Sequence, residues 1–418
     1  MSKVERAVYV TGMGMITSLA LGVEENWSAL SAGRSGIRTI DRFDTANLRV
    51  RIAATASFGD LDRLSYVQRT MRMAEMVADE ALEQAGLPRD APGAPLILGI
   101  PPVEMQWRER LACALAVGGG APVDHSLMVA AAIGGAYPAT FTDHAIGGFG
   151  GRLAERHGFT GAPILLNTAC STGATAIQMA TEMIRDGHAD RVVAIATDAP
   201  VTPDTIVRFS LLAALSMSNE RGASAARPFS ADRDGFVLGE GAAALVLESV
   251  QSVARRGVRP IALVAGLGES ADTFHLTRSS PDASAASRAM FRAIDDAGIA
   301  PADIGYVNAH GTGTPENDRI ETLALLGVFG EGRCPPVSSS KSMIGHTLSA
   351  AGAVEAVIAI LALTRGLLPP TINRMKPDPE IPLDVVPDTA RPAALRHVLS
   401  NSFGFGGQNV SLVFSGPV

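Results

Sequence analysis

The sequence predicts an α/β fold assembled from two halves of like order. Three observations carry this. Ile164-Leu165-Leu166 is a short apolar strand that turns at Cys170 into a helix, with Ile177, Ala180, Met183 and Ile184 at helical spacing. The strand and Gly turn that open the chain, Ala7 to Thr17, are echoed at Arg259 to Gly268. The chain holds 43 Gly in 418 residues but has no Pro- or Ser-rich linker between the halves. The division falls near residue 255, giving residues 1–255 with the cysteine turn and 256–418 with two histidine-bearing turns. A chain of 418 residues exceeds one ordinary core, which fits two lobes.

The elements follow in order. Glu24 to Ser31 reads as a short helix, and Gly33 to Phe43 as a loop. Leu64 to Ala85 is a long helix carrying Arg69 and Arg72, with Arg63 just before it. Leu96 to Ile100 is a strand broken by Pro101-Pro102. Gly118-Gly119-Gly120 and Gly147-Gly148 interrupt the alanine-rich stretch beyond it. Past the cysteine helix, stopped at Gly187, comes the strand Arg191 to Thr197. A long connection, 199–233, then holds Arg208 and Phe209, and long ordered connections are often functional. The strand Ala242 to Leu247, the helix Ala283 to Ala297 and a strand at Tyr306 ending in His310 come next. The last elements are the helix Ser349 to Thr364 and the strand Asn409 to Phe414, which closes the sheet.

Composition excludes several classes. A net charge of −7 argues against general nucleic-acid binding. No apolar run approaches the ~20 residues of a membrane span. The N-terminus lacks a signal-peptide segment, and Cys113, Cys170 and Cys334 are odd in number and widely spaced, which suits a reducing cytoplasm. Gly12 and Gly14 begin a dinucleotide-like pattern, but Thr17 stands at the third glycine place, so a Rossmann site is rejected. Cysteine and histidine lack zinc-ligand spacing, so no catalytic metal is expected.

Four strand-end or Gly-turn sites remain as candidates: Cys170, His310, Lys341 with His346, and Phe403 to Gly407. Cys170 at a helix N-terminus suits a thiolate nucleophile, although a buried structural cysteine reads the same way. Lys341 is one of only three lysines, beside Lys3 and Lys376. Glu355 is an acid in an apolar helix, so it needs a buried partner.

Five motifs then appear in order across nearly the whole chain. They are Thr168-Ala-Cys-Ser-Thr-Gly173, Arg233-Asp-Gly-Phe-Val-Leu-Gly-Glu-Gly241, Asn308-Ala-His-Gly-Thr-Gly-Thr-Pro315, Ser340-Lys-Ser-Met-Ile-Gly-His346 and Asn401-Ser-Phe-Gly-Phe-Gly-Gly407. Together they resemble the beta-ketoacyl-[acyl-carrier-protein] synthases, condensing enzymes of the thiolase-like superfamily, and most of all the type II elongating synthases. The resemblance implies a duplicated, five-layered αβαβα thiolase-like fold. It implies decarboxylative condensation of an acyl thioester with malonyl-acyl carrier protein, giving 3-ketoacyl-acyl carrier protein and CO2.

By the same resemblance Cys170 takes the acyl chain, with the helix N-terminus supplying the thiolate and no hydrogen-bonded base required. The N–H groups of Cys170 and Phe405 form an oxyanion hole. His310 and His346 stabilise the enolate left by decarboxylation. Lys341 and Glu355 form a buried pair that orients His346 and holds its tautomer. Thr312 and Thr314 bind the phosphopantetheine arm, while Phe209, Phe403, Phe405 and Gly406 border the substrate, with Phe405 as a gate. Asn308, Glu355, Ser400 and Asn401 match a structural monovalent cation site, and no other cofactor is expected. Arg63, Arg69, Arg72 and Arg208 form the expected docking set for an acidic acyl carrier protein.

The stretch after Gly99, Ile-Pro-Pro-Val-Glu-Met-Gln-Trp, departs from the Gly-rich turn of typical elongating synthases, and 105–145 lacks their Pro/Phe-rich loop. Chain length is therefore open, with very-long-chain, polyene and polyketide pathways all admitted. The end at Val418 leaves no room for a fused carrier, so a discrete cytoplasmic homodimer or heterodimer is expected. The alternative is a ketosynthase-like chain-length or scaffold subunit of a heterodimer. A thiolase would need a second cysteine near the C-terminus, and the Gly-rich stretch there has none.

Overall fold

The computed structural model describes residues 7–90, 92–116, 125–135, 144 and 147–417. In the first half the strands are β1 (Val8–Ile16), β2 (Arg38–Thr39), β3 (Ile52–Ala53), β4 (Leu96–Gly99), β5 (Ile164–Leu166), β6 (Arg191–Asp198) and β7 (Gly241–Ser249). The second half holds β8 (Ala262–Ala271), β9 (Ile304–Asn308), β10 (Val337–Ser338), β11 (Leu367–Leu368), β12 (Arg391–Pro392), β13 (His397–Phe403) and β14 (Gln408–Ser415). Two small antiparallel pairs, β2–β3 and β11–β12, stand apart.

The other ten strands run in the order β10-β9-β13-β14-β8-β1-β7-β6-β4-β5. The order reads alike from either end. On one side β4 pairs parallel with β5 and β6, then β6, β7 and β1 alternate antiparallel. On the other, β9 pairs parallel with β10 and β13, then β13, β14 and β8 alternate antiparallel. Only Tyr9–Leu263 and Val10–Ala262 join the two sets, through β1 and β8.

This order sets the counterparts between the two halves. The His310 strand, β9, is the counterpart of β4 and not of the cysteine strand β5. The counterpart of β5 is β10, which leads to Lys341. A two-residue strand leaves no periodic signal in the sequence, so β10 reads there as loop.

Helices complete five layers. The Tyr66–Gln84 helix covers one outer face and shares a core with β4, β6 and β7. The Ser284–Ala297 and Pro315–Phe329 helices cover the opposite face. Between the two five-strand sets lie the Thr172–Arg185 and Ala351–Arg365 helices, in the largest core. Leu348–Arg365 is apolar enough by length and composition to cross a membrane, but it is 89% buried here as the central core segment.

The two central helices touch backbone to backbone. A Cβ on Gly173 would sit against the Ala353 nitrogen, and a Cβ on Gly352 against the Ala174 nitrogen. These reciprocal glycines let the cysteine turn and the histidine turn, each just before its helix, approach one another. Gly352→Ala is therefore expected to lower unfolding free energy by about 1–3 kcal/mol or more, as overpacking of a tight core does, measured by denaturant titration. An unchanged midpoint would show that the helices can separate without cost.

Candidate active site

Cys170 sits in a single 3-10 turn, Ala169–Ser171, between β5 and its helix. Ala169 has φ 50°, a left-handed conformation that is costly for alanine and throws the next side chain off the strand end. Asn167 Oδ1 accepts the Ala169 N–H at 3.2 Å, and Thr172 Oγ1 accepts that of Thr168 at 2.8 Å, so the turn is braced from both sides. The Gly404–Gly407 turn closes over the sulfur. Its Gly404, Gly406 and Gly407 N–H groups are donated to the carbonyls of Gln408, Leu276 and Gly404. The Phe405 N–H faces Cys170 and favours its thiolate form. Gly406 itself does not line the cavity; with φ 88° it shapes the turn that presents Phe405.

His346 Nε2 lies 3.2 Å from Cys170 Sγ. Its other nitrogen, Nδ1, accepts the Leu348 backbone N–H at 3.3 Å. In the neutral ring this places the proton on Nε2, so His346 faces the sulfur as a donor and not as a base. Burial, then the nearby Lys341 charge, holds the His346 imidazole well below its ordinary pKa, which keeps it neutral. His310 is held neutral by the same causes, with His346 adding to them. The two rings stand edge to face, 5.4 Å between centroids, and Phe236 packs edge-on against His346 at 5.1 Å. His310 Nδ1 is buried with no hydrogen-bond partner among the described residues.

Lys341 is buried and donates to the His310 carbonyl at 2.6 Å and to Glu355 Oε1. This corrects the role expected of the pair. Lys341 and Glu355 position His310 through its backbone, whereas the His346 tautomer is held by Leu348. Val237 and Gly239, from the 233–241 motif, grip the His346 backbone on both sides, at 2.7 and 2.9 Å.

Glu321 was not picked out from the sequence, yet its two carboxylate oxygens accept the His310 and Gly311 N–H groups at 2.8 and 2.7 Å. Burial pushes its carboxyl up to about 7. The available signal was the one used for Glu355, an acid among apolar residues of a helix.

Cys170, His310, His346, Thr312, Thr314, Phe209, Phe403 and Phe405 all line one cavity of about 410 Å³. Thr312 and Thr314 share a hydroxyl contact of 3.0 Å, and Thr314 also caps the Pro315–Phe329 helix. Phe405 stands at the mouth, 36% exposed.

The cation set is only partly assembled. The Asn308 amide reaches Ser400 at 3.5 Å, but Asn401 donates to Glu321 and accepts from Ser411. Glu355 Oε2 is buried without a hydrogen-bond partner among the described residues.

Among the docking arginines, Arg69 is excluded. It is 3% exposed, turned inward beside Glu240 at 3.4 Å and donating to the Leu61 and Leu64 carbonyls. Helical phase turns it to the buried face, while Arg63 stays exposed. Arg72 and Arg208 are accessible but pair with Glu75 and Glu104.

The thiol also departs from expectation. Burial pushes the Cys170 thiol up to about 11; Lys341 and the Phe405 N–H only partly oppose this. A helix terminus is worth roughly 0.3–1 kcal/mol to a surface charge, too little to outweigh full burial. An acid with a raised pKa stays protonated until the pH nears that value. Alkylation of Cys170 by iodoacetamide, followed on its own peptide by mass spectrometry, should therefore rise about tenfold per pH unit from 7 to 9. A rate flat over that range would show a thiolate already formed.

Comparison with known proteins agrees with this geometry. The chain is 38% identical to the tetracenomycin polyketide synthase ketoacyl synthase alpha subunit of Streptomyces glaucescens, over 99% of this chain and 98% of that protein. It is 37% identical to 3-oxoacyl-[acyl-carrier-protein] synthase 2 of Coxiella burnetii, over 98% of this chain and 99% of that protein. The ishigamide ketosynthase/chain length factor structure superposes with a TM-score of 0.84 at 32% identity, over 99% and 100% of the two chains. A type II polyketide ketosynthase bound to its acyl-carrier protein, AntDE:AntF, superposes with a TM-score of 0.87 at 30% identity and the same coverage. The fold is accordingly thiolase-like. Residues 5–252 match the beta-ketoacyl synthase N-terminal domain and residues 261–375 its C-terminal domain, so the chain belongs to the beta-ketoacyl synthase family.

Proposed function

We propose that this chain is itself a catalytic ketosynthase, extending an acyl chain in fatty-acid or polyketide assembly by decarboxylative Claisen condensation. One observation carries the reading: a neutral His346 whose Nε2–H faces Cys170, with His310 neutral beside it. A chain-length or scaffold subunit needs neither the sulfur nor the two donors.

In the first half-reaction Cys170 Sγ attacks the thioester carbonyl of an acyl carrier protein. A new C–S bond forms, the carrier thiol leaves with the proton, and the Cys170 and Phe405 N–H groups hold the tetrahedral oxyanion. Malonyl-carrier protein then enters past Thr312 and Thr314. Its carboxylate leaves as CO2, and the electron pair moves into an enolate whose oxygen accepts hydrogen bonds from His310 and His346. The enolate carbon attacks the acyl carbonyl, the C–S bond breaks with Cys170 leaving as a thiolate that takes one proton from solvent, and 3-ketoacyl-carrier protein departs. Neutral donors suit an enolate formed without net proton transfer. Each step uses the chain's own groups, and phosphopantetheine arrives on the carrier. A monovalent cation, if bound, would be held by Glu355 Oε2, which has no hydrogen-bond partner among the described residues, and would offset its charge without taking part in the reaction.

Arg63, Arg72 and Arg208 remain as the docking set for an acidic carrier, their attraction screened by salt. The chain works as a homodimer or with a ketosynthase-like partner. The test supplies acyl-carrier proteins of graded length with malonyl-carrier protein and sizes the products by mass spectrometry. The expected result is a two-carbon extension with CO2 release. No condensation with any primer, alone or with a partner subunit, would overturn the reading.

A further inference from the structure

A second cavity of about 370 Å³ opens on the other side of the nucleophile. Cys170, Phe209, Leu212, Leu348 and Phe405 border both cavities, so an acyl group on the sulfur has this second space to enter while the carrier arm holds the first. Its lining is unusual for a hydrocarbon tunnel. Tyr66, Asp198 and Asn167 line it, and the Glu104–Arg208 ion pair, 2.5 Å, stands on its wall.

Two of these polar groups have hydrogen-bonding capacity left over. Asp198, at the end of β6, is 1% exposed; its Oδ2 accepts the Ser349 N–H at 3.2 Å, but its Oδ1 has no hydrogen-bond partner among the described residues. Burial pushes this carboxyl up to about 7, so it is available both as donor and as acceptor. The Tyr66 hydroxyl makes no hydrogen bond to a described residue. Burial, then the Asp198 and Glu104 carboxylates, raises its pKa well above the ordinary value, so it keeps a proton to donate. A saturated chain filling the space would strip water from both groups and return nothing, whereas an acyl chain bearing oxygen would pair with them.

On the ketosynthase reading above, we infer that this cavity selects acyl groups carrying a keto or hydroxyl oxygen along the chain, with Tyr66 and Asp198 as the polar partners. A site built to hydrogen-bond a substrate oxygen discriminates strongly against the analogue that lacks it.

The experiment follows acyl transfer to Cys170 in the full chain by intact-protein mass spectrometry, from pantetheine thioesters of hexanoic, 3-hydroxyhexanoic and 5-oxohexanoic acid. At least one oxygenated primer should exceed hexanoyl by about tenfold or more in kcat/KM. That ratio should fall toward one in Tyr66→Phe or Asp198→Leu, since neither replacement can hydrogen-bond the chain oxygen. Hexanoyl transferred as fast as both oxygenated primers, with condensation intact, overturns this inference and leaves the ketosynthase reading standing. A preference unchanged in both variants overturns the assignment to Tyr66 and Asp198. No acyl group on Cys170 from any thioester overturns both readings, and so marks a failure of the catalytic reading itself.

Discussion

Cys170→Ala is expected to abolish acyl-enzyme formation and bring condensation to background, while malonyl-carrier protein still loses CO2. On the proposed reaction the two outcomes separate: Cys170 Sγ bonds to the acyl group, whereas His310 and His346 donate to the enolate. His346 keeps its tautomer through the Leu348 N–H, a contact the substitution leaves in place. His310 keeps its position through Glu321 and Lys341, which are equally untouched. Radiolabelled acyl transfer measures the first activity and release of labelled CO2 the second. In the same CO2 assay His310→Ala should lower the rate on the order of a hundredfold or more, the scale of one lost oxyanion donor. Loss of CO2 release in Cys170→Ala would mean that the sulfur helps to bind or polarise the malonyl group, and the division of roles would fall.

Lys341→Ala is expected to cost roughly 3–5 kcal/mol of stability, because it leaves Glu355 buried without its cationic partner. The loss should depend on pH, and its sign follows from Glu355. Burial raises this carboxyl from 4.5 to about 7 even with Lys341 opposing the shift; without Lys341 it rises further. A carboxyl with a raised folded pKa binds protons more tightly in the folded chain. The penalty is therefore absent below about 4.5 and complete above the folded value. Acidification from pH 8 toward 5 should return much of the lost stability. Denaturant midpoints across that range test this, and the Lys341→Ala, Glu355→Gln double variant should be more stable than Lys341→Ala alone. A loss of equal size at all pH values would show that packing, not the stranded carboxyl, dominates. Because Lys341 holds the His310 carbonyl, the variant should also lose CO2 release.

Much of the site was legible in the residues. Cys170, His310, His346 and Lys341 stand in short motifs whose glycines and hydroxyls shape local turns, and the turns form largely as those residues dictate. The long helix beginning at Ser65 shows its cap in the sequence, with Gln68 three residues on completing a capping box. Other features were not legible. Arg69 and Arg72 look alike in the chain, and only packing against β6 and β7 turns the first toward Glu240 and leaves the second accessible. Glu321 is one acid among several in its helix until the helix is docked under the His310 turn. The described wall of the second cavity draws on the Tyr66 helix, the turn after β4, the end of β6 and the Pro203–Leu211 helix, segments more than a hundred residues apart in part.

The sequence by itself determined the α/β plan and the strand–cysteine–helix turn, which depend on hydrophobic periodicity and turn chemistry acting over a few residues; the candidate reacting side chains came from the resemblance of the motifs. Only the tertiary structure decided what each reacting group does. It gave Lys341 the His310 carbonyl and His346 the Leu348 N–H, and it made the Cys170 thiol reluctant to ionise. Each of those outcomes depends on desolvation and on partners from distant strands, and a buried polar group takes its properties from whatever the fold places beside it.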